Sequence, residues 1–198
     1  SGDGAGADRM EITFPLDGVR ALVVTHVHID HVGRIPYLLA AGFDGPILCS
    51  EASAALLPMV LEDALKVGFT RDAVLIERVL DRIRSRVVAV PYKRWHVIDA
   101  PSGMRPGLRV RLSPAGHILG SAYAEVDIHR GRDSRRVVFS GDLGAPYTPL
   151  LPAPKSPYAA DVVVLESTYG DREHEDRRYR HQRLRKVLER AMANKGTV

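Results

Sequence analysis

Within the six residues His26-Val27-His28-Ile29-Asp30-His31, four side chains can ligate a metal. Imidazole and carboxylate are the ligands Zn²⁺ accepts where thiolate is missing. With His at about 2% and Asp at about 5%, such a pattern arises by chance at on the order of one in a million start positions. Packing four such groups together without a cation would carry a heavy desolvation cost. Four such groups in six residues at a strand end can face one point, as a metal site needs. The preceding run, Val19 to Thr25, is apolar and β-branched without helical periodicity, short enough for a buried strand. The cluster is thus predicted at the C-terminal end of a strand.

Downstream, the pattern alternates between strands and helices. Gly33-Arg34-Ile35-Pro36 opens a short helix through Ala41, with Pro36 tolerated in the first turn and Gly42 ending it. Ile47 to Cys49 reads as a strand, and Ser50 caps a helix over 51–66 that contains Pro58 as a kink and stops at Gly68. A second helix over 70–86 is predicted to present Val74, Leu75, Val79, Leu80 and Ile83 on one face. Further strands are predicted over 87–90, 108–112, 122–128, 136–140 and 162–166, giving a mixed α/β chain that is strand-rich in its middle. Prolines at 146, 149, 152, 154 and 157 make 144–160 an ordered loop. A charged helix follows over 173–194 with Leu184, Val187, Leu188 and Met192 on its apolar side, and Thr197-Val198 reads as the start of a strand.

Composition narrows the chemistry. The 198 residues, 45% of them hydrophobic, suffice for one substantial core but not for two full domains. No apolar run approaches the length of a membrane span and no signal-like leader is present, so a cytoplasmic protein without a membrane partner is expected. The single cysteine, Cys49, rules out an internal disulfide and reads as packing, which leaves metal chemistry to His and Asp. A net charge of +4 suits a polyanionic partner, a weak signal by itself because charged helices are usually solvated faces.

Two more candidate ligands lie in distinctive settings: His117 in Ser113-Pro114-Ala115-Gly116-His117-Ile118-Leu119-Gly120-Ser121-Ala122, and Asp142 in Phe139-Ser140-Gly141-Asp142-Leu143-Gly144. With the His26 to His31 stretch, these segments resemble the successive metal motifs of the metallo-β-lactamase superfamily. Glu166-Ser167-Thr168-Tyr169-Gly170-Asp171-Arg172 resembles the first motif of that superfamily's β-CASP group of RNA-processing nucleases, and Gly-His-Ile-Leu-Gly-Ser-Ala around His117 is the form typical of the group. The similarity covers roughly residues 12–198.

The resemblance implies a metallo-β-lactamase αβ/βα sandwich, here partial. Residues 1–11 would be a flexible leader, 12–170 the partial metallo-β-lactamase domain, and 171–198 the helix and strand that lead into a β-CASP domain. It further implies two zinc ions, His26, His28 and His117 binding one, Asp30 and His31 the other, and Asp142 bridging them. Asp30, Asp142 and Glu166 are the carboxylates expected in catalysis. Glu166 would lie near a proton-donating histidine of the inserted domain, which this chain does not include. The implied activity is hydrolysis of single-stranded RNA by metal-bound hydroxide, which requires no Ser, Cys or Thr nucleophile. Homodimers are common in the group.

Against the family pattern, the first strands, the inserted domain and the last histidine ligand are missing, which reads as a fragment of a longer protein in preference to a site completed by another chain. Two other functions stay open: hydrolysis of a small ester, thioester or lactam on the same fold, and a non-catalytic scaffold in an RNA-processing complex. The scaffold is disfavoured because all six candidate ligands are present. His96, His129, His174 and His181 lack ligand spacing and read as solvated or packing residues. The arginines over 172–190 are interleaved with acids, so no site is placed there.

Overall fold

The computed structural model describes residues 11–99, 107–146, 148–171 and 177–197. The expected leader falls outside them apart from Glu11, as do Val198 and the start of the last helix. The chain divides into two compact units, Ser1–Glu166 and Ser167–Val198.

The first unit is built on two sheets. One holds three parallel strands, β1 (Leu22–Val23), β2 (Ile47–Ser50) and β3 (Val87–Val90), in that order. The other holds β4 (Trp95–Asp99), β5 (Leu108–Pro114), β6 (Ala122–Arg130), β7 (Asp133–Phe139) and β8 (Val162–Val164). Its first four strands run antiparallel to their neighbours, and β8 joins β7 in parallel. Alternation along β2 shows how the layers form. Ile47 and Cys49 belong to the cluster that includes Leu57, Leu61, Leu80 and Ile83 of the helices α3 (Glu51–Gly68) and α4 (Ala73–Arg84). Leu48, between them, packs with Val110, Leu112 and Ala124 of the second sheet. Helices, three-stranded sheet and five-stranded sheet thus stack with two apolar seams between them, a mixed α/β architecture as expected.

The opposite face of the five-stranded sheet is polar. Arg111 makes paired bonds of 2.9 and 2.6 Å to the buried Glu125. Arg109 and Arg136 hold Asp127, and all three guanidinium groups lie within 5.3 Å of the Trp95 ring centroid. Burial alone would raise the Asp127 pKa, but the bonds from Arg136 and Arg109 outweigh it and hold the carboxyl below its usual range.

Several elements differ from the sequence reading. The first strand is paired with β2 over Leu22–Val23, shorter than the run from Val19 to Thr25. Ile29–Val32 forms a helical turn, α1, and α2 covers Ile35–Ala40. In α4, Val74 and Leu75 face solvent while Ile76, Leu80 and Ile83 are buried. The inward face follows the i, i+4, i+7 spacing of Ile76, Leu80 and Ile83, while Asp72 Oδ1 caps the helix by accepting from the Val74 and Leu75 N–H groups. Strand β4 was not anticipated, although Trp95 to Asp99 alternates. Over 144–160, no helix or strand occurs among the described residues.

In the second unit, a 3₁₀ turn at Arg177–Tyr179 leads into α5 (Arg180–Ala193), on which Leu184, Val187, Leu188 and Met192 are exposed. Thr197, expected to begin a strand, belongs to no helix or strand. No helix of the described residues is long and apolar enough to cross a membrane.

Candidate metal centre

Three loops at the strand ends supply the site. His26 and His28 follow β1, and Asp30 and His31 lie on α1. His117 sits between β5 and β6, and Asp142 three residues beyond β7. The chain brings all six together.

Four ligand atoms converge, one each from His26, His28, His117 and Asp142, all within 4.8 Å of one another. His28 Nδ1 is 3.2 Å from His26 Nε2 and 3.1 Å from His117 Nε2. Asp142 Oδ2 is 3.7 Å from His26 Nε2 and 3.6 Å from His117 Nε2. Bonds of about 2.1 Å to a tetrahedral Zn²⁺ would set neighbouring donors about 3.4 Å apart, so these four edges fit such an ion. The imidazole contacts by themselves are poorly satisfied. A single in-plane lone pair on His28 Nδ1 cannot serve two neighbouring ring nitrogens, whereas a cation among them would satisfy all three.

A second group adjoins the first through the other oxygen of the same carboxylate. His31 Nε2 lies 3.3 Å from Asp142 Oδ1 and 3.3 Å from Asp30 Oδ2. The two oxygens of Asp142 therefore face different histidine sets, the arrangement a bridging carboxylate needs. Asp30 is the most open of these side chains, at 48% exposure against 0% for His26.

His26 is fixed before any ion binds. Thr25 Oγ1 lies 3.3 Å from its Nδ1, and a proton held on that side leaves the Nε2 lone pair pointing into the cluster. Burial, then the neighbouring His31, lowers its pKa from 6.5 to about 4, with Asp142 opposing and His117 and His28 adding to the shift. The imidazole is thus neutral, the form that binds metal.

The sign of the resulting pH effect follows. Below pH 6.5 the unfolded chain takes up a proton that folded His26 refuses until about pH 4. Metal-free protein should accordingly lose stability as pH falls through that window, by on the order of 3 kcal/mol at its lower end. Melting of chelator-treated protein should show the slope between pH 7 and 5, above the carboxylate range, and His26→Gln should flatten it. A flat profile for the parent would refute this.

The His117 loop is held by Ser121, Ser50 and Ser53, of which the sequence singles out Ser50 alone, as the cap of α3, where its Oγ accepts from the Ser53 N–H. Ser121 Oγ accepts from the N–H groups of His117 and Ile118, at 3.0 and 3.2 Å. The Gly120 carbonyl accepts from Ser50 Oγ and Ser53 Oγ, both buried, at 2.6 and 3.0 Å. Gly120 has φ +85°, and a Cβ there would stand 2.7 Å from the Ser53 nitrogen, so only glycine fits. The available signal was a serine four residues after a histidine, directly behind a glycine. Glu166 lies beside this centre, its Oε1 accepting from the Leu143 N–H at 2.7 Å.

The family model described as "Metallo-beta-lactamase superfamily" matches residues 1–196. The chain belongs to this superfamily. Its metallo-β-lactamase relatives include Ribonuclease TTHA0252 of Thermus thermophilus, 36% identical over 91% of this chain and 39% of that protein. Transcription termination factor FttA of Methanothermobacter thermautotrophicus is 33% identical over 88% of this chain and 26% of that protein. Endoribonuclease ysh-1 of Neurospora crassa is 29% identical over 99% of this chain and 23% of that protein. The chain thus spans between about a quarter and two fifths of the length of these relatives. The resemblance read from the motifs is borne out for the superfamily, and the ribonuclease names agree with its β-CASP part. Among solved structures, Rm3 metallo-beta-lactamase is 13% identical, over 69% of this chain and 47% of that one, at a TM-score of 0.41. The superfamily assignment rests on the family model, not on that partial likeness.

Proposed function

We propose that the protein is a dinuclear metal-dependent ribonuclease that hydrolyses phosphodiester bonds of single-stranded RNA, with zinc as its metal. The observation that carries this reading is Asp142, whose Oδ2 faces His26 and His117 while its Oδ1 faces His31. In this reading His26, His28 and His117 hold one ion, Asp30 and His31 the other, and Asp142 both. Bound there, two ions would supply the Lewis acidity needed to activate water and offset charge at phosphorus. The chain's own contribution is placement: Thr25 orients a neutral His26, Ser121 sets the His117 loop, and the carboxylate between the two sets keeps them in register. Zinc is favoured over magnesium by the number of imidazoles. RNA as substrate is supported by the names of the relatives, the Glu166 motif and the net charge of +4. A cytoplasmic location belongs to the same reading.

Labelled single-stranded RNA incubated with the natural protein should be cut, cutting should stop with chelator, and zinc should restore it. Chelator-sensitive turnover of a small ester or lactam with RNA left intact would replace this reading with the small-substrate hydrolase. No turnover of either by metal-loaded protein would favour the scaffold.

A further inference from the structure

Glu166 grips the Asp142 loop from two sides. Its carboxylate Oε1 accepts from the Leu143 N–H at 2.7 Å, one peptide beyond Asp142. Its own N–H donates to Ser140 Oγ at 3.0 Å, two residues before Asp142. Ser140 Oγ in turn donates to the Gly141 carbonyl at 2.7 Å, and the Ser140 N–H bonds to the Val164 carbonyl at 2.9 Å. The turn carrying Asp142 is thus closed at both ends by the segment that leaves β8. A carboxylate that must share its two oxygens between separate sets of histidines is sensitive to small displacements of its backbone.

From this double attachment of Glu166 to Ser140 and Leu143, we propose that Glu166 is a positioning residue for Asp142, setting metal affinity through the main chain of the turn. The role is distinct from partnership with a proton donor, and it rests on the metal reading above. What it requires of residue 166 is an acceptor oxygen at the Leu143 N–H. Glu166→Gln keeps such an oxygen and Glu166→Ala removes it.

The test is zinc affinity of the natural protein by competition with a chromophoric chelator, with the cobalt(II) absorption spectrum as a second readout. Parent protein that binds no zinc would defeat the metal reading itself, whatever the variants do. Given a parent that binds, Glu166→Ala should weaken zinc binding by roughly 10- to 100-fold, the range for losing an outer-shell partner, and should alter the cobalt spectrum. Glu166→Gln should stay close to the parent in both. Ser140→Ala, which removes the other attachment, should shift affinity in the same direction as Glu166→Ala. The proposal is overturned if Glu166→Ala binds zinc as the parent does while losing cleavage, since Glu166 would then act on the reaction directly. It is equally overturned if Glu166→Gln binds as weakly as Glu166→Ala, since charge and not acceptor geometry would then control affinity.

Discussion

Asp142→Ala should abolish RNA cleavage, lowering the rate by at least about a thousandfold, the scale on which loss of one well-placed transition-state stabiliser is felt. RNA binding should remain largely unchanged, because the side chain lies among histidines and not on a basic surface. The size of the effect follows from position. Asp142 is the carboxylate that meets both groups of candidate ligands, so its loss weakens two sites together. Asp142→Asn preserves shape but removes the charge, and should fall close to Asp142→Ala if bridging is what matters. Single-turnover cleavage with a parallel filter-binding assay separates the two quantities. Retained cleavage in Asp142→Ala would sink the dinuclear mechanism.

Gly144→Ala should be nearly as damaging, by a different route. The Gly144 N–H donates to the Ala115 carbonyl at 2.8 Å, where the loop of Asp142 crosses that of His117. A methyl group on Gly144 would overlap the Gly116 carbonyl and lie 2.5 Å from the His117 nitrogen. Backbone cannot rotate aside as a side chain can, so the two loops must separate. Overpacking of this kind costs about 1–3 kcal/mol or more. The loops it forces apart carry His117 and Asp142, so metal binding should suffer beyond the loss of stability. The expected outcome is a lowered melting temperature together with zinc affinity reduced well over tenfold. Parent-like values of both would mean that the loops do not approach as closely as described. Gly18, with open space around it, is the control position at which alanine should be harmless.

The site was more legible in the sequence than the elements that carry it. Four side chains able to ligate a metal within six residues are a pattern that packing rarely explains, so His26, His28, Asp30 and His31 stand out, and the geometry gathers them with His117 and Asp142. Element boundaries obeyed weaker signals. Val19 to Thr25 has strand composition throughout, but its register with β2 covers Leu22 and Val23. The apolar face of α4 begins at Ile76, since Ile76, Leu80 and Ile83 follow the i, i+4, i+7 repeat and Val74 falls on the other side of it. Trp95 to Asp99 was passed over because its outward residue is a tryptophan whose value lies in three arginines on other strands, a pairing that local sequence does not show. The same holds for two of the serines. Ser53 and Ser121 are ordinary serines until the fold sets them against the Gly120 carbonyl or the His117 N–H, and Ser50, read as a helix cap and accepting from the Ser53 N–H, holds the Gly120 carbonyl besides. Glu166 was noticed for its motif, while its bond to Leu143 spans 23 residues and depends on β8 lying beside β7.

The most direct measurement is anomalous scattering at the zinc edge from crystals of the natural protein, purified without chelator, together with elemental analysis of the same preparation. Two ions should appear, one among His26, His28, His117 and Asp142, the other among Asp30, His31 and Asp142. A protein that crystallises with no ion among these residues, or with its zinc held elsewhere, would contradict the dinuclear centre and the ribonuclease reading built upon it.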